Sequence, residues 1–269
     1  MEKQLELFDK PVNRVLVVLS GGQDSTTCLF WAKALGAEVH AVTFDYNQRH
    51  RREIEAAKKV AELADVSSHE IIELGPVLKG ASPLVSDNNL EQYADHQSLP
   101  GGLEKTFVPM RNQLFLTIAA NRAYVLEADT LATGVCQEDF GGYPDCRQVF
   151  IDRFIEACNE GTFTGLDGAN PPLKIATPLM FLTKAASVHL ALELPGCYNA
   201  LAHSHTSYDG QYPPLGHDHA TLLRAKGFEE AGIPDPLVLR AWKEGLMELP
   251  TAVNYEVDVV ETYLEMLED

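Results

Sequence analysis

The chain is poor in positive charge and in cysteine, and it has no long apolar run. Lysine and arginine together number 21 against 39 aspartates and glutamates, a formal net charge of −18 over 269 residues. So acidic a protein is repelled by nucleic acid and by anionic lipid, which argues against either as a direct partner. The five cysteines (Cys28, Cys136, Cys146, Cys158 and Cys197) are scattered and form no C-x-x-C pair. That spacing argues against a disulfide framework or a thiolate metal site and fits a reducing cytoplasm. No apolar stretch approaches the roughly 20 residues a membrane-spanning helix needs. Residues 1–13 lack the apolar centre of a signal peptide and read as a leader. What is present is 45% hydrophobic residues, enough at this length to bury a sizeable core.

Residues 15–19 are five consecutive apolar residues, the composition of a strand buried on both faces of a parallel sheet. The run stops at Ser20-Gly21-Gly22-Gln23-Asp24-Ser25. Two adjacent glycines let the backbone turn sharply and approach a ligand without a Cβ in the way. The pattern then becomes helical, with Cys28, Leu29, Ala32 and Leu35 on one face and Gly36 as a stop. Strand, glycine turn and helix N-terminus make an anion site, because free backbone N–H groups and the helix dipole converge there. The spacing fits neither the dinucleotide fingerprint nor the Walker loop. Ser-Gly-Gly-x-Asp-Ser after a buried strand resembles the PP-loop of the ATP pyrophosphatases, which cleave ATP between its α and β phosphates.

A second strand is expected over 39–44. Asp45, Tyr46, Gln48, Arg49 and His50 follow at its carboxyl end, where open α/β sheets bind ligands. A helix over 51–64 and a strand over 69–74 complete a β-α-β-α-β opening. Residues 75–105 are long, polar and aperiodic and read as a mobile cover over the site. Arg111 and Asn112 stand at the mouth of a helix expected over 113–126. Arg111 brings a planar fork for phosphate or carboxylate, Asn112 a donor–acceptor edge. A strand over 129–133 runs into a glycine-rich loop, residues 134–147. Its aromatic and carboxylate side chains suit a purine-like ring, with Glu138, Asp139 or Asp145 reading the ring N–H and exocyclic amine. Cys136 and Cys146 in that loop read as turn packing rather than a redox pair. After a strand over 174–179, Thr183 caps a helix running to 194. Lys184 sits in its first turn, against the dipole preference for anions. A phosphate-binding lysine produces that kind of local conflict. Helices are expected over 235–249 and 255–267, and the carboxylate-rich tail reads as a solvated face.

Five blocks carry a closer resemblance: VVLSGGQDSTTCL, VTFDYNQRH, TFVPMRN, TGVCQEDFGGYPDCR and TPLMFLTKA, in order across residues 14–194. Together they resemble the 7-cyano-7-deazaguanine synthases of the queuosine pathway, the QueC family. The resemblance implies an α/β fold with a doubly wound, mostly parallel sheet of the PP-loop type. Residues 14–200 would form the catalytic domain, and 201–269 a helical C-terminal extension packed on it. It implies ATP-dependent conversion of 7-carboxy-7-deazaguanine and ammonia to the 7-cyano compound through an adenylated carboxylate, with Mg²⁺ on the phosphates and two chains paired as a homodimer. Catalytic roles fall to Asp24, Ser25 and Lys184. ATP contacts fall to Leu19, Ser20, Gly21, Gly22, Asp24, Ser25, Phe44, Asp45, Tyr46, Arg111, Asn112 and Gly134. Substrate contacts fall to Gln48, Arg49, Val135, Cys136, Glu138, Asp139, Tyr143, Pro144, Asp145 and Arg147.

One departure stands out. The family closes with a four-cysteine zinc pattern, but here Ser207, Leu215, Asp218 and Thr221 stand at the ligand positions. Leucine cannot bind metal, so zinc is doubtful and no metal ligand is assigned. A nitrogen–oxygen site from His203, His205, His217, His219 and Asp218 is the alternative. The favoured reading is a metal-free loop packed by Tyr208, Tyr212, Pro213, Pro214 and Leu215. Two rival functions stay open. One is adenylation of a related deazapurine or of a protein carboxylate in a DNA-modification or defence system. The other is a non-catalytic nucleotide-binding subunit.

Overall fold

A computed structural model of the chain describes residues 12–49, 51–86, 88–99, 102–137, 143–163 and 171–267. Most of the expected leader therefore lies outside the described residues. A five-stranded sheet holds β1 (Arg14–Val18), β2 (Glu38–Asp45), β3 (Ser68–Glu73), β4 (Thr130–Ala132) and β5 (Lys174–Ala176). The strand order is β3-β2-β1-β4-β5 and every pairing is parallel. Parallel neighbours require crossover helices, and these cover both faces. On one face Val15, Val17, Leu19, Val39 and Ala41 pack against α1 (Gln23–Ala34) and α2 (Arg52–Leu63). On the other, Leu16, Val42 and Phe44 meet α3 (Arg111–Val125) and α4 (Gln148–Cys158). Alternate residues of β1 thus feed opposite cores, which explains why that strand is apolar from Val15 onward.

The chain leaves β1 toward β2 and β3, then returns to β4 and β5 on its other side. The carboxyl ends of β1 and β4 therefore flank the topological switch point, where doubly wound sheets place their ligand crevice.

Several boundaries move from expectation. The fifth strand ends at Ala176 rather than at 179, because Pro178 has no N–H for the ladder. Helix α3 begins two residues early, at Arg111, after Met110 turns through the left-handed region (φ 68°). The segment expected to be a mobile cover is pinned at both ends of its path. Ser82 Oγ donates to the Thr106 carbonyl at 2.9 Å, and Leu84 and Glu104 are buried. The Tyr93 N–H donates to the His217 carbonyl at 2.9 Å, and Gln92 Nε2 donates to Asp209 Oδ2 at 3.0 Å.

Beyond β5 the chain forms α5 (Lys184–Glu193), α6 (Cys197–Leu201), α7 (His219–Ala231), α8 (Pro236–Lys243) and α9 (Val257–Leu264). The last two are shorter than expected, α8 giving way to Gly245 at φ 73°. Phe228 and Ile233 join the same core as β1 and α1. Arg224 of α7 grips Asp235 with two bonds, 2.6 and 2.8 Å, and also donates to Ser204, Thr206 and the Leu201 carbonyl.

Candidate active site

The cavity at the switch point has a volume of about 350 Å³. Its floor is the turn after β1. Gly21 adopts φ +86°, and a Cβ there would lie 2.3 Å from the Glu53 carbonyl oxygen and 2.6 Å from the Ala57 nitrogen. No side chain fits, so this glycine lets the turn press against α2. Gly22 precedes α1 in extended conformation with no side-chain cap, leaving the first-turn N–H groups available to a ligand. Ser25 Oγ donates to the Gly22 carbonyl at 3.1 Å and lies 3.0 Å from Ser20 Oγ. At the end of β4, a Cβ on Gly134 would fall 2.9 Å from the Asp24 carbonyl carbon. The second strand end can close on the turn only without a side chain.

Lys184 reaches this floor from α5. Thr183 caps the helix by accepting from the Ala186 N–H at 3.2 Å, and Lys184 Nζ donates to Asp24 Oδ2 at 2.7 Å. Its backbone is held close to α7, where a Cβ on Gly227 would lie 2.7 Å from Lys184 Cβ. Asp24 Oδ1 is buried with no hydrogen-bond partner. Asp24, Ser20 and Ser25 all line this end of the cavity, and oxygen donors of that kind suit a hard cation carried by phosphates.

The far end of the cavity is aromatic and charged. Phe44 stacks on Phe115 with centroids 4.5 Å apart, and Tyr46 lies 5.2 Å from the same ring. Tyr143 Oη is 2.6 Å from Thr106 Oγ1. Burial works against the Arg111 charge, but Tyr46, Tyr208, Tyr143 and Asp145 around it more than compensate, so its pKa rises. Burial pushes the Glu53 carboxyl up to about 7, with Arg111 pulling the other way. Burial likewise raises Tyr46 and Tyr208. His219, at the cavity wall, is lowered by burial while Glu104 and Asp218 oppose the shift; its Nε2 is 3.7 Å from Glu104 Oε1.

The structure brings most of the expected residues to this one cavity. Leu19, Ser20, Gly22, Asp24, Ser25, Gly134 and Lys184 line the turn end. Phe44, Tyr46, Gln48, Arg49, Arg111, Asn112, Val135, Cys136 and Tyr143 line the rest. Others lie off the lining. Gly21 packs behind the turn. Asp45 is paired with Arg51 at 2.6 Å. Pro144 accepts from Arg147 Nε at 3.3 Å, and Asp145 is buried behind Asn112. Glu138, Asp139 and His50 lie outside the described residues. Glu53, Leu84, His205, Tyr208, His219 and Arg224 also line the cavity and were not anticipated. Glu53 lies in the first turn of α2, where its charge alone does not show that it faces the cavity. The others come from the insert and the extension, which only tertiary closure brings here.

Turn, switch point and converging charges define an α/β protein of the PP-loop type. A family model described as "Queuosine biosynthesis protein QueC" matches residues 14–232, and the chain belongs to that family. A 7-cyano-7-deazaguanine synthase of Gloeobacter violaceus is 51% identical over 234 residues, covering 86% of this chain and 97% of that protein. Proteins of the same name from Chromobacterium violaceum and Laribacter hongkongensis are 46% and 45% identical, over 86% and 84% of this chain and 95% and 94% of theirs.

Proposed function

We propose that the chain is an ATP-dependent ligase that turns 7-carboxy-7-deazaguanine and ammonia into 7-cyano-7-deazaguanine. The observation that carries this reading is the Lys184–Asp24 pair at 2.7 Å, set on a double-glycine turn at the switch point. A carboxylate is a poor electrophile until its oxygen becomes a good leaving group. The substrate carboxylate attacks the α-phosphorus of ATP and pyrophosphate leaves. Ammonia then adds to the acyl carbon, AMP leaves and a proton is lost, giving the amide. The amide oxygen attacks a second ATP, pyrophosphate leaves, and loss of AMP with two protons gives the nitrile.

In this reading the enzyme supplies positioning and charge neutralisation rather than a covalent nucleophile. Backbone N–H groups of α1, with Ser20 and Ser25, hold the pyrophosphate end. Lys184 meets the negative charge that builds on the phosphates as the α–β bond breaks. Arg111 draws the substrate carboxylate, and the aromatic wall of Phe44, Tyr46 and Tyr143 receives the flat rings. The oxygen-bearing side chains of Asp24, Ser20 and Ser25 suit Mg²⁺, which when bound would neutralise phosphate oxygens. The homodimer is part of the same reading, and light scattering of the purified chain tests it.

The test of function is incubation with 7-carboxy-7-deazaguanine, ATP, Mg²⁺ and ammonium, followed by mass spectrometry. Nitrile and AMP are expected. Product stopping at the amide favours a related adenylating enzyme, and absence of both product and AMP favours a nucleotide-binding subunit.

A further inference from the structure

The QueC resemblance brings a four-cysteine zinc pattern with it, and this chain has Ser207, Leu215, Asp218 and Thr221 at those places. The structure tests whether they fit a metal. Leu215 has no donor atom and is 56% exposed, so it neither ligates nor packs the loop as expected. The other three converge on one another. Asp218 is 1% exposed. Its Oδ2 accepts from Ser207 Oγ at 3.1 Å and from Thr221 Oγ1 at 2.8 Å, and its Oδ1 accepts from the Thr221 N–H at 3.2 Å. Ser207 Oγ in turn accepts from the Asp209 N–H at 3.2 Å. Both hydroxyl protons are thus directed at the carboxylate. A structural zinc needs thiolate or imidazole donors in a tetrahedron; two neutral hydroxyls facing one carboxylate do not supply them.

The space is also closed. A Cβ on Gly216 would fall 3.1 Å from Asp218 Oδ2 and 3.4 Å from each hydroxyl oxygen, so the backbone of Gly216 covers the cluster. The histidines do not make up the ligand set. His205 Nε2 lies 2.9 Å from the Ser207 carbonyl oxygen, and His203 Nδ1 lies 3.2 Å from Arg240 Nη1. Among the described residues no group of three or more His, Cys, Asp or Glu side chains is placed to hold a metal ion.

We infer that a hydrogen-bonded hub centred on Asp218, with Ser207 and Thr221, fastens this extension in place of zinc. The buried carboxylate is compensated twice. It accepts three hydrogen bonds, and it caps α7, whose first turn presents the positive end of the helix dipole. The hub also explains how the extension reaches the cavity. Tyr208 follows Ser207 and His219 follows Asp218, and both line the cavity. On the outside, Asp209 and His217 receive Gln92 and Tyr93 of the insert. One polar cluster therefore ties wall, insert and helix together where a metal would otherwise be the knot.

The inference is tested on the purified full chain, with readouts that need no turnover and so stand apart from the ligase reading. Elemental analysis is expected to find well under one zinc per chain, and 1,10-phenanthroline is expected to leave the Tm unchanged. One zinc per chain, or a Tm that falls on chelation, overturns the inference. Asp218→Asn replaces one of the two acceptor oxygens with an NH2 group, which donates and cannot accept, and a Tm lower by on the order of 5–10 °C is expected. Thr221→Val, a milder change removing one hydroxyl, is expected to lower the Tm by about 2–4 °C. If Asp218→Asn does not fold, Thr221→Val decides alone, and an unchanged Tm in that variant overturns the hub.

Discussion

Two carboxylate–cation pairs of nearly equal length sit about this cavity, and they are built for opposite purposes. Asp24 and Lys184 meet at 2.7 Å with side chains 26% and 14% exposed, and Asp24 Oδ1 has no partner. Arg224 and Asp235 meet at 2.6 Å with side chains 3% and 4% exposed. Arg224 adds bonds to two hydroxyls and a carbonyl, and lies 5.5 Å over the Phe228 ring. Both members of the first pair line the cavity, and Asp24 keeps one oxygen without a partner; in the second, every N–H of the Arg224 guanidinium is engaged. A buried pair is held together by the penalty of exposing either charge alone. A half-open pair beside a helix N-terminus gains most when phosphate arrives. Distance alone does not distinguish a working pair from a structural one; the unfilled valence does.

That contrast predicts its largest effect in catalysis. Lys184→Ala removes the cation facing the phosphates and is expected to slow AMP formation by at least about 10²–10³-fold, while the Tm shifts by no more than a few degrees. Near-normal turnover would mean that the open pair is merely structural. The converse variant is Arg224→Met, which leaves Asp235 buried without its cation. Loss of about 3–5 kcal/mol of stability is expected, read as a Tm lower by on the order of 10 °C. An unchanged melting curve would erase the distinction between the pairs.

Gly134 sharpens the comparison at the backbone. Alanine there meets the Asp24 carbonyl carbon at 2.9 Å, so β4 or the turn must shift. Gly134→Ala is expected to weaken ATP binding about 10-fold or more through a displacement of a few tenths of an ångström, with a modest fall in Tm. Calorimetric titration with a non-hydrolysable ATP analogue measures it, and unchanged affinity would show that the turn does not set the phosphate end.

How much of this was legible in the chain follows from how locally each feature is encoded. The buried strand, the glycine turn and the helix after it occupy consecutive residues, so their periodicities announce them. Lys184 was legible because it violates a local rule, a cation at the wrong end of a helix. Arg224 and Glu53 were not, since each lies on a helix whose spacing says only which face is apolar. Their partners come from chain segments far away, and no periodicity records that meeting. The loop before α7 shows a related limit. Its tyrosines, prolines and Leu215 suggest apolar packing, and Leu215 is instead exposed, while the hydrogen bonds converge on Asp218 from Ser207 and Thr221. Hydrogen-bond convergence between residues 207, 218 and 221 leaves no hydropathy signature.

Glu53 is the intermediate case between the two pairs, and its effect is the smallest. It lines the cavity opposite Arg111, yet burial pushes its carboxyl up to about 7, so near neutrality it is partly a neutral acid rather than a committed ion. The unfolded chain releases that proton near the ordinary glutamate value of about 4.3. Between those two values the folded state therefore binds more protons than the unfolded one, and stability falls as pH rises through the window, levelling above about 7. Glu53→Gln keeps the shape and one acceptor but cannot ionise, so that component of the slope disappears. Melting curves from pH 5 to 8 are expected to show a flatter profile for the variant, with the two proteins closest at the acid end. Parallel profiles would mean that Glu53 is ionised across the whole range, a third ion pair rather than a titrating wall of the cavity.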